Sequence, residues 1–162
     1  TVRSRSQKLQ LVPVSHRDAT ETLKQEGVPE SIAASLAALV GSDTERALKM
    51  VEDGAVEIYE ALQSLTKKNE ITHTLSLAAD LGRSAERTEI ALCLLAIELR
   101  DGLAQRRQVD NQLLYTSPGS VGDAHILTET ARELETLRSK MVFNPNKTMS
   151  LERLFLQLTG QL

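Results

Sequence analysis

Tryptophan is absent from the chain, and phenylalanine and tyrosine occur twice each, so aromatics make up 2% of 162 residues. A core of stacked rings is excluded, and the interior must be built from Leu, Ile, Val and Ala. The single cysteine, Cys93, excludes an internal disulfide framework and a cysteine-built zinc cluster. It fits a reducing compartment, so a cytoplasmic location is expected. Proline (4) and glycine (8) are scarce, which removes the turn-rich signature of sandwiches and barrels. No apolar run approaches the ~20 residues that a membrane-spanning helix needs. Nor is there an excess of one charge: 19 basic and 22 acidic residues give a formal net charge of −3. That balance argues against a whole-domain nucleic-acid binder. Neither G-x-x-x-x-G-K-[ST] nor G-x-G-x-x-G is found, so no nucleotide-phosphate loop is present in the sequence.

What is abundant is Leu, Ala and Glu, and the reading is all-α. The longest apolar-periodic stretch, Ser84 to Arg107, organises the rest. Ile90, Leu94 and Ile97 share one face, and Leu92, Leu95, Leu99 and Leu103 the adjoining one. Spacings of three and four give a helix, and so wide an apolar arc needs neighbours on more than one side. Ser84 is its N-cap, with Glu86 favoured by the positive end of the helix dipole.

Residues 15–54 read as three short helices. Ser15 with Asp18 starts the first, and Gly27 follows it. Pro29 opens the second, with Ile32, Ala33, Leu36, Leu39 and Val40 inward and Gly41 at its end. Ser42 to Glu45 has capping-box spacing for the third. Gly54 is the boundary. Beyond it, residues 55–162 read as about five helices: 55–67, 71–82 with Ile71, Leu75, Leu77, Ala78 and Leu81 as its apolar positions, the central helix, 123–142, and a last one near 150–160. Asn111 to Gly122 is a loop, and Asn144-Pro145-Asn146 is a break. Residues 1–14 differ: Lys8 to Val12 alternate like a strand, and a lone strand needs a sheet expected upstream of Thr1.

Chemistry-bearing residues are sparse. His16, His73 and His125 lie on different elements with no partner at metal-ligand spacing, so no metal site is expected. Asp80 and Asp101 are not paired as acid and base. Cys93 sits in the apolar run, where an inert buried thiol is the default. No catalytic constellation is present, so this stretch of chain is expected not to be an enzyme and to hold no cofactor.

The order of several short motifs carries more than any one of them. Thr1-Val2-Arg3-Ser4-Arg5-Ser6-Gln7 resembles the Ser-Arg-Cys motif of bacterial clamp-loader subunits of the AAA+ superfamily, with Ser6 where cysteine is usual. Glu98-Leu99-Arg100-Asp101-Gly102-Leu103 is similar to their central collar helix. Asn144-Pro145-Asn146 followed by Leu151-Glu152-Arg153-Leu154-Phe155-Leu156 resembles the end of the delta-prime class of subunit.

The resemblance implies a fold and a function. It divides the chain into the end of an AAA+ domain (1–14), a three-helix lid (15–54) and a helical collar (55–162). Its partners would be the gamma or tau and delta subunits of the DNA polymerase III clamp loader and, through the assembled ring, the sliding clamp and primed DNA. Arg5 would be an arginine finger directed at a neighbour's ATP, neutralising charge on the transferred phosphoryl group. Glu45 stands where ATP-binding gamma or tau subunits carry a sensing arginine, which favours the non-hydrolysing delta-prime type. A gamma or tau subunit and an unrelated helical adaptor remain alternatives. A ring interface is expected on the last helix, at Leu151, Arg153, Leu154 and Phe155, against the plainer reading that this stripe closes the intrachain core.

Overall fold

The computed structural model describes residues 14–41, 43–68, 70–107 and 123–161. Among them the chain forms eight α-helices and one 3-10 turn, and no strand. The helices are α1 (His16–Gln25), α2 (Glu30–Val40), α3 (Thr44–Glu52), α4 (Ala55–Lys68), α5 (Ile71–Leu81), α6 (Ala85–Arg106), α7 (Ala124–Lys140) and α8 (Lys147–Leu158). The 3-10 turn is Met141–Phe143. The expected strand at Lys8–Val12, the loop at Asn111–Gly122 and Arg5 lie outside the described residues.

Capping chemistry sets most of the helix starts. Ser15 accepts from the Asp18 amide at 3.1 Å, and Ser84 from the Arg87 amide at 3.2 Å. Each satisfies one of the amides that the first helical turn cannot pair internally. Asp43 caps α3 through the Arg46 amide at 3.0 Å. Asn146 caps α8 through the Met149 amide at 3.1 Å. That cap is why α8 begins at Lys147, a full turn before the position that apolar spacing suggested. Upstream of it, α7 stops at Lys140, and Asn144 takes a left-handed conformation (φ 49°) that asparagine tolerates better than most residues. Pro29 occupies the capping position of α2 rather than its first helical residue.

Helices α1, α2 and α3 pack on one another. Helices α4, α6, α7, α8 and α5 form a closed circuit in which each packs on the next and α5 returns to α4. The two groups are continuous: α3 meets α4 through the turn at Gly54 (φ 92°), α2 lies on α6, and one cluster of buried side chains runs from Ala19 to Leu158. Helix α6 is the shared element. It touches α2, α4, α5 and α7, and Ile90, Ala91, Leu92, Leu94, Leu95, Ile97 and Leu99 are all buried. The wide apolar arc is thus covered on several sides, as its width required.

The apolar positions of helix α5 divide. Ile71 and Leu75 face solvent, and its buried positions are Thr74, Ala78 and Leu81. Small side chains let α5 lie very close to α8. A Cβ placed on Gly82 would sit 2.4 Å from Thr148 Oγ1 and 2.9 Å from both the Thr148 amide nitrogen and its Cα. Gly82 has an ordinary φ of −71°, so glycine is required here by contact rather than by backbone conformation. Because the obstruction is partly backbone, rotamer changes cannot relieve it. Gly82→Ala should destabilise the fold by about 1–3 kcal/mol, read by thermal or urea unfolding. Gly27→Ala, at φ 88° with open space around the added methyl, is the control for backbone strain alone. Wild-type stability in Gly82→Ala would show that α5 and α8 stand further apart.

Candidate functional site

The richest polar constellation lies at the α4–α6 interface. Tyr59 and Gln63, one turn apart on α4, face Glu98 and Asp101, three residues apart on α6. Those spacings put each pair on a single helix face. Gln63 Nε2 donates to Glu98 Oε1, and Gln63 is also bonded to the Tyr59 hydroxyl. Asp101 is fully buried and accepts from Arg100 Nη1 at 3.0 Å, while the Arg100 side chain stays about half exposed. Removal from water disfavours a carboxylate, and the Asp101 charge adds repulsion, so the Glu98 pKa is raised to about 7. Burial, then the charges of Glu98 and Asp101, also push the Tyr59 phenol upward.

The α6 half of this cluster lies within Glu98–Leu103, the segment set apart by its resemblance, but its polar contacts with α4 were not foreseen. The spacing was present in the sequence at both places. Nothing in a single sequence says that the two pairs face each other.

Elsewhere the polar groups hold structure. His16 Nε2–H donates to the Ala34 carbonyl at 3.0 Å, tying α1 to α2. The Ser64 hydroxyl donates to the Ala61 carbonyl, so its oxygen accepts from His73 Nε2–H at 2.7 Å, tying α4 to α5. His125 is exposed at the start of α7. Asp80 pairs with Arg83 and Arg87. Among the described residues no group of three or more His, Cys, Asp or Glu side chains could hold a metal ion.

Cys93 is half-buried on the outer side of α6, and burial pushes its thiol pKa up, away from the thiolate that nucleophilic chemistry needs. It floors a cleft of about 230 Å³ between α3 and α6, edged by Arg46, Lys49, Glu86 and Glu89. Glu45 and Arg46 are both exposed on α3.

The residues expected at a ring interface divide. Leu151, Leu154 and Phe155 are fully buried within the chain's own core. Arg153 is exposed on the opposite side of α8, with its Nε 3.1 Å from Glu133 Oε1 of α7. The stripe therefore closes the intrachain core, and a partner can reach only the Arg153 side of the helix. Among the described residues no helix is long and apolar enough to cross a membrane. Comparison with known proteins returns nothing: no family model, no curated protein and no solved structure matches the chain.

The Glu98 cluster predicts a pH dependence. Its folded pKa lies above its unfolded value of 4.5, so its contribution to stability is fully present below pH 4.5 and is lost as pH rises to about 7. A shift of that size corresponds to roughly 3 kcal/mol between the two limits. Glu98→Gln keeps a carbonyl oxygen for Gln63 and removes the charge. It should raise the melting temperature near neutral pH and above, and flatten the pH dependence of stability between these limits. A wild-type profile that rises with pH through this window would contradict the assignment.

Proposed function

We propose that the chain acts through protein contacts rather than catalysis, as the lid and collar part of a clamp-loader subunit of the delta-prime type. In this reading residues 15–54 are the lid and 55–162 the collar. The chain works in the cytoplasm with gamma or tau and delta subunits to place a sliding clamp on primed DNA. One observation supports it above others. Three short helices are followed, past Gly54, by a five-helix unit whose α6 carries Leu99, Asp101 and Gly102 of the Glu98–Leu103 segment in the interior. That is the element order the motifs call for. The same reading makes Arg5 a residue acting on a neighbour's nucleotide, and leaves this stretch without nucleotide chemistry of its own.

The test is reconstitution. The chain, mixed with purified gamma or tau and delta subunits, should co-elute with them in size-exclusion chromatography. Arg153→Glu should weaken that binding. The Arg153–Glu133 pair is exposed, and such pairs contribute only about 0–1 kcal/mol, so the variant should stay folded by thermal melting. Failure of the folded wild-type chain to bind any of these subunits would leave the helical-adaptor reading. Saturable ATP binding by calorimetry would instead favour the ATP-binding gamma or tau type.

A further inference from the structure

Helices α3 and α6 flank an opening. Helix α3 packs on α2 and α4, and α6 packs on the same two helices, so α2 and α4 hold the walls of the opening in place. Each wall presents one stripe. Arg46, Lys49, Met50 and Asp53 line it from α3, and Glu86, Glu89, Ile90 and Cys93 from α6. Both stripes step by three and four residues, which puts each set on a single helix face. Leu39 and Val40 close the α2 end. The opening holds about 230 Å³. That exceeds the ~150 Å³ that admits a benzene ring and falls short of the ~300 Å³ at which sites for drug-sized ligands begin. One apolar side chain with a small head group is the size that fits.

The floor is apolar and the rim is charged. Ile90 is buried, Leu39, Val40 and Met50 are partly buried, and Cys93 is half-buried beside them. The rim charges are not equivalent. Cys93 lies in the field of Arg46, and Glu86 in the field of Lys49, so α3 and α6 run in opposite directions along the opening. Lys49 therefore has Glu86 across from it, with Asp53 one turn further along its own helix. Glu86 also accepts from the Ser84 hydroxyl at 2.6 Å and feels Lys147. On the far side of Glu89, Arg138 and Lys147 line a second cleft, where Arg138 pairs with Glu135 and Lys147 donates to Asn144. One cation and one anion are left over. Among the described residues, neither the Arg46 nor the Glu89 side chain is taken up in an ion pair or hydrogen bond. A water-exposed pair between them would contribute little, so the opening is not closed by its own charges.

We propose that this opening binds a free α-amino acid with an aliphatic side chain, its carboxylate on Arg46, its ammonium on Glu89 and its side chain on the floor formed by Val40, Met50 and Ile90. A ligand of one charge leaves either Arg46 or Glu89 unanswered beside it, and a peptide offers only one of the two charges at each end. The zwitterion answers both, and the planar donor pair of a guanidinium is matched to a carboxylate. Removal of the aliphatic side chain from water drives binding, and the two charged contacts select the head group. The inference is independent of the clamp-loader reading, because amino-acid binding and subunit binding are measured separately and either can fail alone.

Amide NMR spectra of the full chain titrated with leucine test it. Saturable shifts should centre on Val40, Met50, Ile90 and Cys93. N-acetyl-leucine lacks the ammonium and leucinamide lacks the carboxylate, and each should bind about tenfold more weakly, the effect of losing one charged hydrogen bond. Glu89→Gln and Arg46→Gln alter exposed side chains and should leave the circular dichroism unchanged. Glu89→Gln should weaken leucine binding about tenfold and leave N-acetyl-leucine as it was, and Arg46→Gln should do the same for leucine against leucinamide. Serine, with the same head group and no apolar side chain, should not saturate. The proposal is overturned if leucine gives no saturable shift up to about 10 mM, if its shifts centre elsewhere, or if N-acetyl-leucine or leucinamide binds as tightly as leucine. Serine that binds as tightly as leucine, or variants that bind leucine like the wild type, overturn it as well.

Discussion

Burial of α6 on several sides at once is the constraint from which the rest of the structure follows. A helix whose Leu and Ile residues occupy most of its circumference is costly to leave in water, at roughly 25 cal/mol for each Å² of apolar surface. Helices α2, α4, α5 and α7 cover it. With almost no aromatic volume available, this covering is done by aliphatic side chains, so the helices must approach closely. Gly82 against Thr148 is one consequence. Phe155 on α8 and Tyr59 on α4 are buried aromatics that fill larger spaces. The same logic makes α1–α3 more than an appendage, because α2 contributes directly to the cover of α6.

Helix existence was legible because its signals are local. Ser15 and Ser84 cap where they were read, Asp43 caps α3 within the Ser42–Glu45 stretch, Asn146, read only as a break, caps α8, and Gly27, Gly41 and Gly54 take the positive φ angles that glycine permits. What the chain does with each apolar face was less legible. Periodicity placed Leu151, Leu154, Phe155 and Leu158 on one stripe and Arg153 on the more polar face, but left open whether the stripe meets the chain's own core or a partner. It grouped Ile71 and Leu75 with Ala78 and Leu81 as the apolar positions of α5, whereas the close α5–α8 approach buries Ala78 and Leu81 together with Thr74 and leaves Ile71 and Leu75 outside. The Tyr59–Gln63–Glu98–Asp101 cluster was hidden for a related reason. Each pair is readable on its own helix, but their meeting is a long-range fact.

The functional picture follows from where polar groups are spent. Histidines tie helices together, Asp80 serves surface ion pairs, and Cys93 is a dulled thiol at the floor of a cleft. Glu98 is the strongly perturbed acid, and it is turned inward against Gln63 of α4. Burial, and then the Asp101 charge, account for its raised pKa, as they do in structural clusters. Surfaces, by contrast, are well provided: an exposed apolar corner at Val142 and Phe143 between α7 and α8, the Ile71–Leu75 face of α5 and the Arg153 side of α8.

Native-state hydrogen exchange, read amide by amide, tests the central place of α6 most directly. Burial on several sides means that its amides open only with the whole fold, whereas exposed helix ends open locally. The slowest exchange should be found at Ile90 to Leu99, with the covering faces of α2, α4 and α7 next. Exchange of the Ile90–Leu99 amides as fast as those of α1 or the outer turns of α5 would contradict a structure organised around this helix.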